Sequence, residues 1–193
     1  CSVYTTSGAV AVTIPPSTAS SVSVPSTSST GSYTVSWGGV AGATSYTLQE
    51  QVNGGAWSNA YSGSATSNGF SGKTNGAHYG YRVQGCNAGG CGPWSGIVSV
   101  AIAIPPPAPT HVYGNDEFLN IKSESLTIQW DAVSGASSYD LENQTQGSII
   151  YSGTGTSLGV QNGAPPLPEY SYAVRACNPY ACSGWVTAIV RDV

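Results

Sequence analysis

The sequence predicts an all-β chain of two consecutive β-sandwich domains, and three observations carry that prediction. Gly 25, Pro 12 and long Ser/Thr-rich stretches stand beside Tyr 12 and Trp 5, a mixture that favours turns and pleated, half-buried strands over helices. Apolar residues make up 40% of the 193 residues and fall in short alternating runs, enough for two thin cores and too many for wholesale disorder. Length alone fits one large domain or two small ones, so the third observation, an internal repeat, decides the count.

The repeat is legible residue by residue. Trp37, Tyr46 and Leu48 of VSWGGVAGATSYTLQ lie over Trp130, Tyr139 and Leu141 of IQWDAVSGASSYDLE, each pair 93 positions apart. Tyr61 in YSGSATS meets Tyr151 in YSGTGTS at an offset of 90, so three residues are lost between these blocks, where a surface loop tolerates deletion. YGYRVQGCNAGGCGPW, from Tyr79 to Trp94, then matches YSYAVRACNPYACSGW, from Tyr170 to Trp185, at an offset of 91. At the front, CSVYTTSGAVAVTIPP lies over CGPWSGIVSVAIAIPP at an offset of 90, with Cys1 on Cys91 and Tyr4 on Trp94. The expected organisation is therefore residues 1–14 as the last strand of a preceding repeat, 15–104 as the first domain and 105–193 as the second. That reading expects a natural protein longer at its N-terminus.

Within the first copy, the runs at 33–37, 45–50, 79–85 and 97–102 alternate or are apolar over strand length, separated by Gly, Pro, Asn and Ser. About seven such strands in roughly 90 residues, with turn signals every 8 to 12, predict a seven-stranded immunoglobulin-like sandwich in each copy. No helix-period segment of useful length competes.

A Trp on an early strand (Trp37, Trp130), a following strand SYTLQ or SYDLE, and YxYxVxxCN closing with GPWS or SGWV resemble the fibronectin type III family over residues 16–193. The resemblance implies that Tyr79 and Tyr170 are tyrosine-corner residues, whose hydroxyls bond back to the backbone near the E-to-F connection. The cysteine pairs depart from the usual pattern of that family, and such CNAGGCGPWS endings are similar to those of bacterial secreted and surface proteins, including some with RHS or YD repeats.

Five cysteines form two close pairs, Cys86 with Cys91 and Cys177 with Cys182, and leave Cys1 over. Cys86 and Cys91 enclose only Asn87, Ala88, Gly89 and Gly90, and a four-residue hairpin loop places them opposite one another on neighbouring strands within bonding range. A bridge over so short a loop restrains the unfolded chain by roughly 2 kcal/mol in the loop-entropy description. The alternative of a four-thiolate metal site needs the two C-x4-C pairs to meet from separate domains, and a redox role needs C-x-x-C spacing, so no metal is expected. Paired cysteines and low charge point to an oxidising compartment, hence a secreted or cell-surface location. Cys1 is expected to pair with a cysteine upstream, a lipid-modified N-terminus being the alternative.

Chemistry has few residues to draw on. His78 and His111 are the two histidines, and neither sits in a nucleophile–base arrangement. Among nine acids, Asp116 with Glu117 and Asp140 with Glu142 are the closest groupings, and alternation puts Asp140 and Glu142 on one, solvated, face. Asn115, Asp116 and Glu117 lack EF-hand or RTX spacing, and the Gly-rich pieces lack a phosphate-loop context. No catalytic residue and no cofactor is assigned. The net charge of -4, without a basic stripe, speaks against nucleic acid, and no apolar run reaches bilayer length. Asn143-Gln144-Thr145 matches the N-glycosylation pattern.

Trp57, Tyr61, Tyr151 and Tyr180 are the candidate ligand-binding aromatics, able to stack on sugars or anchor a protein partner if exposed. The plainer reading packs Trp57 and Tyr61 across a strand pair and lays Trp94 and Trp185 over the sandwich end beside the hairpin. Pro105, Pro106, Pro107 and Pro109 form an extended, semi-rigid connection. The function expected is a non-catalytic extracellular module, a semi-rigid spacer or scaffold whose partners are neighbouring domains of its own chain. The alternative is an adhesion or carbohydrate-binding module whose partner is a polysaccharide or surface protein. Residues 10–14 are expected to add as a strand to the sheet edge of another copy.

Overall fold

The computed structural model describes residues 13–114, 125–161 and 170–190, without the side chains of 125, 126, 161, 170, 189 and 190. The expectations for Cys1, for most of the 1–14 strand, and for Asn115, Asp116 and Glu117 fall outside the described residues. The chain divides into two compact units, Cys1–Ile102 and Ala103–Val193.

In the first unit, β1 (Val22–Ser23), β3 (Tyr33–Trp37) and β6 (Ser67–Phe70) form one antiparallel sheet in the order β1-β3-β6. The facing sheet contains β2 (Thr27–Ser28), β9 (Val98–Ile102), β7 (His78–Asn87), β4 (Ser45–Val52) and β5 (Ser58–Gly63), in the order β2-β9-β7-β4-β5. The short β8 (Gly90–Cys91) pairs with β7, and β2 joins β9 in parallel. Alternation along the strands fills the space between the sheets: Tyr33, Val35 and Trp37, then Tyr46 and Leu48, then Tyr79, Tyr81 and Val83, then Val100 and Ile102 are all buried.

The second unit repeats the plan. Its sheets are β10 (Val112–Gly114), β11 (Ser125–Trp130) and β14 (Ser157–Gln161), facing β13 (Ser148–Gly153), β12 (Ser138–Asn143), β15 (Tyr170–Cys177) and β16 (Val186–Val190). Ile128, Trp130, Tyr139, Leu141, Val160, Tyr172, Val174 and Ala176 make its core.

One device explains three landmarks of the repeat. The register of β4 against β5 slips between Leu48 and Gln49, and that of β12 against β13 slips at the matching place, between Leu141 and Glu142. The bulge breaks the alternation and turns the next tyrosine inward. Tyr61 packs on Trp37 at 5.8 Å between centroids, beside Tyr46 at 5.9 Å, and Tyr151 and Tyr139 flank Trp130 at 5.8 and 6.0 Å. The indole N–H groups of Trp37 and Trp130 are buried with no acceptor among the described residues, a cost of about 1–3 kcal/mol each that the aromatic packing offsets.

Candidate functional site

The outer face of the larger sheet carries an arginine held between tryptophans. Gln49 and Arg82 are register partners on β4 and β7, and both point away from the core because they alternate with buried Leu48 and Val83. Arg82 donates from Nε and Nη2 to Gln49 Oε1 at 3.0 and 2.7 Å, and Gln49 Nε2 donates to Asn59 Oδ1 at 3.0 Å. Its guanidinium lies 4.3 Å from the Trp57 ring centre and 4.6 Å from that of Trp94. Each such contact is worth about 0.5–1 kcal/mol at an exposed site.

The second unit builds the same stack two positions along the strand. Repeat alignment puts Ala173 where the first unit has Arg82, and Arg175 takes over from the next outward position. Arg175 donates from Nε to Asp140 Oδ2 at 2.8 Å, its register partner, and covers the Trp185 ring at 4.5 Å. Ser152 donates to the other carboxylate oxygen of Asp140 at 2.6 Å. Asp140 thus corrects the expectation of a solvated acid: its side chain is only 14% exposed, because Arg175 crosses it under the Trp185 ring.

The hairpins beside these stacks are stapled. Cys86 and Cys91 are bonded at 2.04 Å with Cα atoms 4.0 Å apart, and Cys177 and Cys182 at 2.03 Å with Cα atoms also 4.0 Å apart. The first hairpin is tighter than a four-residue loop, since Asn87 and Gly90 pair and leave only Ala88 and Gly89 between them. Gly90 has a φ of 121°, a conformation that a side chain would oppose. In the second hairpin, Asn178 N donates to Ala181 O at 2.9 Å, closing the turn over Pro179 and Tyr180. Asp140, Cys177 and Cys182 bring three metal-ligating atoms within 4.8 Å of one another, yet the sulfurs are bonded to each other and the carboxylate is held by Arg175. These three residues are a structural cluster.

The four candidate aromatics have different fates. Tyr61 and Tyr151 are corrections: besides packing on tryptophan, their hydroxyls accept backbone hydrogen bonds from Ala65 N at 2.9 Å and Gly155 N at 2.7 Å. The bulge spends both rings on the core edge, so neither is a free platform. Trp57 keeps a partly exposed ring beside Arg82. Tyr180, at the tip of the second hairpin, is 54% exposed. Tyr79 Oη accepts a hydrogen bond from Thr74 N at 3.2 Å, five residues upstream in the connection from β6, while the side chain of Tyr170 is outside the described residues. Asn143, first residue of the glycosylation pattern, is 5% exposed and accepts from Gln146 N through Oδ1. An amide so placed is closed to a glycosylating enzyme.

Sequence reasoning missed a polar cluster at one end of the first core. Glu50 Oε2 accepts from Lys73 Nζ and from Tyr81 Oη, both at 2.5 Å, and Tyr81 Oη lies 2.7 Å from Tyr33 Oη. Lys73 Nζ also stands 4.7 and 4.5 Å from the ring centres of Phe70 and Tyr79. Burial pushes the Tyr33 hydroxyl up to about 12 and raises Tyr81 as well, with the Glu50 hydrogen bond adding to the latter. The signal was present, since Glu50 shares the inward parity of Tyr46 and Leu48 and so demanded a partner. His111 lies 2.6 Å from Asp131 through Nδ1, and Asp131, which also accepts from Thr110 Oγ1, is held below the ordinary carboxylate range by Thr110 first and His111 second.

No protein-family model matches the sequence, and no curated protein matches it. Solved structures do. A two-domain fibronectin type III segment from chicken tenascin covers 90% of this chain and 99% of its own at 16% identity, with a TM-score of 0.57. The FN1–FN3 domains of chicken CNTN1 cover 92% of this chain and 69% of their own at 17% identity and a TM-score of 0.41. The sixth domain of human fibronectin type III domain containing protein 3 covers 49% of this chain and 89% of its own at 25% identity and a TM-score of 0.41. The tenascin likeness shows the fold, two tandem fibronectin type III sandwiches.

Proposed function

We propose that this chain is a non-catalytic, extracellular tandem module that spaces and carries other parts of a larger secreted or surface protein. The observation that carries this reading is the connection between the units. Strand β9 ends at Ile102, and Pro105, Pro106, Pro107 and Pro109 follow at once, a composition that holds a chain extended. The polar side chains of the stacks and of the Glu50 cluster are committed to partners within their own sandwich, and the two staples suit an oxidising compartment. Small-angle scattering of the chain, against a variant with 103–109 replaced by Gly and Ser, tests the reading. A spacer gives a narrower distance distribution for the natural connection; equal breadth in the two rejects it.

A second reading, an adhesion or carbohydrate-binding module, is favoured by Tyr180 at an exposed hairpin tip and by the partly exposed Trp57 ring, which lies against the Arg82 that Gln49 holds. Saturable binding to a polysaccharide, lost in Trp57→Ala or Tyr180→Ala, would establish it; silence across a broad panel would end it. Self-association through residues 10–14 is a separate proposal, and a concentration-independent monomer mass in solution would reject it.

A further inference from the structure

Each stapled hairpin reaches beyond its own turn through the asparagine that follows its first cysteine, and Asn87 also donates from Nδ2 to Gly42 O at 2.9 Å. Asn87, directly after Cys86, donates from Nδ2 to Ile14 O at 2.8 Å, and Asn178, directly after Cys177, donates from Nδ2 to Ile104 O at 2.8 Å. Ile14 and Ile104 open the two Ile-Pro-Pro segments, so in both units the same side chain holds the same carbonyl at the point where the chain comes into the sandwich. The other end of each amide is fixed as well. Asn87 Oδ1 accepts from Gly89 N at 2.8 Å, and Asn178 Oδ1 accepts from Tyr180 N and Ala181 N, both at 2.9 Å. The asparagine is thereby oriented by the hairpin that the disulfide closes, with its donor aimed outward.

The first unit adds an independent observation, a close approach of backbone to backbone. A Cβ on Gly89 would stand 2.2 Å from Thr13 O and one on Gly92 would stand 2.1 Å from Pro16 O, so the backbone of the incoming segment lies directly against the hairpin. Proline at both positions after each isoleucine removes two backbone donors from that segment, so the carbonyls weigh more heavily among its backbone hydrogen-bonding groups.

We propose that the stapled hairpin is a clamp for the chain entering each unit, with Asn87 and Asn178 as the gripping groups, and that reduction of the staple releases the grip. The step is a thiol–disulfide exchange with a dithiol reductant. Two electrons and two protons pass to the Cys177–Cys182 bond, which becomes two thiols, while the reductant closes to its own disulfide. With the hairpin unstapled, the turn that orients Asn178 is free to open and the amide loses its aim. The clamp lies inside each unit and does not depend on the spacer reading.

The test is backbone 15N relaxation on the whole chain, reading Ala103 and Ile104 against Leu141 and Val174 of the same unit's core. Asn178→Asp keeps the oxygen that accepts from Tyr180 and Ala181, removes the donor, and sets a carboxylate against the Ile104 carbonyl. The expected result is that Ala103 and Ile104 match the core in order in the natural chain and lose it in Asn178→Asp, while Thr13 and Ile14 stay ordered. Unchanged order at Ile104 in a folded Asn178→Asp chain overturns the clamp. A dithiol added to the natural chain is expected to loosen Ile104 in the same way; a reduced chain with an ordered Ile104 overturns the release. The Cys177→Ser, Cys182→Ser chain should show the loosened Ile104 without reductant, and wild-type order in it also overturns the release.

Discussion

Asn143 stands in the second unit where Glu50 stands in the first, each opposite a buried tyrosine of the neighbouring strand, Tyr172 and Tyr81. One repeat therefore closes this end of its core with a neutral amide folded onto its own turn, and the other with a carboxylate that gathers a lysine and two phenols. Removing one member of a partly buried ion pair leaves the other charge short of compensation, a loss of up to about 3 kcal/mol. Glu50→Gln is expected to lower the stability of the first unit by roughly that amount and to leave the second unchanged. Urea unfolding followed by signals from each unit checks it, and equal stability of the two chains would show that Lys73 finds another partner.

The same cluster sets an alkaline limit. Tyr33 and Tyr81 ionise above the ordinary phenol value of 10.0 in the folded chain and near it in the unfolded one. A raised folded value means that their contribution is fully present below pH 10 and is lost as the pH climbs through about 12. Phenolate absorbance and circular dichroism recorded together should show two tyrosines ionising only as the first unit unfolds. Ionisation of every tyrosine near the ordinary value, with the fold intact, would contradict the buried network.

Tyr61 and Tyr151 bend back over glycines. A Cβ on Gly63 would stand 2.4 Å from Tyr61 Oη, and one on Gly153 would stand 2.6 Å from Tyr151 Oη. Gly63→Ala and Gly153→Ala should each destabilise their own unit by about 1–3 kcal/mol by displacing the ring from its tryptophan. Thermal unfolding followed by tryptophan fluorescence measures it.

The stack on the outer face requires a planar cation. Arg82→Lys removes the fork onto Gln49 and the flat surface between Trp57 and Trp94, and is expected to cost about 1 kcal/mol and shift the tryptophan emission. An unchanged emission maximum would mean that the rings stay covered without the guanidinium.

Asp131 is partly exposed, and its lowered value comes from hydrogen bonds with Thr110 and His111. Its stabilising contribution is present above the ordinary carboxylate range and lost as pH falls through its own lower value. The 13C titration of Asp131 should lie below that of a free aspartate and move up toward it in Thr110→Val, with His111 holding the remainder of the shift.

The sandwiches were legible because period-2 alternation and a 93-residue recurrence of Trp, Tyr and Leu are written directly into the chain. The roles of Tyr61 and Tyr151 were not, because a bulge reverses which face a residue occupies and strict alternation counts straight through it. Cross-strand pairs such as Arg175 with Asp140 depend on register between segments 35 residues apart, which neither segment encodes alone. The grip of Asn87 and Asn178 was hidden for a related reason: CN reads as a disulfide motif followed by a turn residue, and only the fold brings the Ile-Pro-Pro carbonyls to it.

The proposed spacer role of the proline-rich connection, 105–109, is tested most directly by the rotational correlation times of the two units from 15N relaxation of the whole chain. The proposal predicts that the two units tumble with coupled correlation times, longer than those of single domains of about 90 residues, and that replacing 103–109 with Gly and Ser shortens both times. Two independent, single-domain correlation times in the natural chain would contradict it.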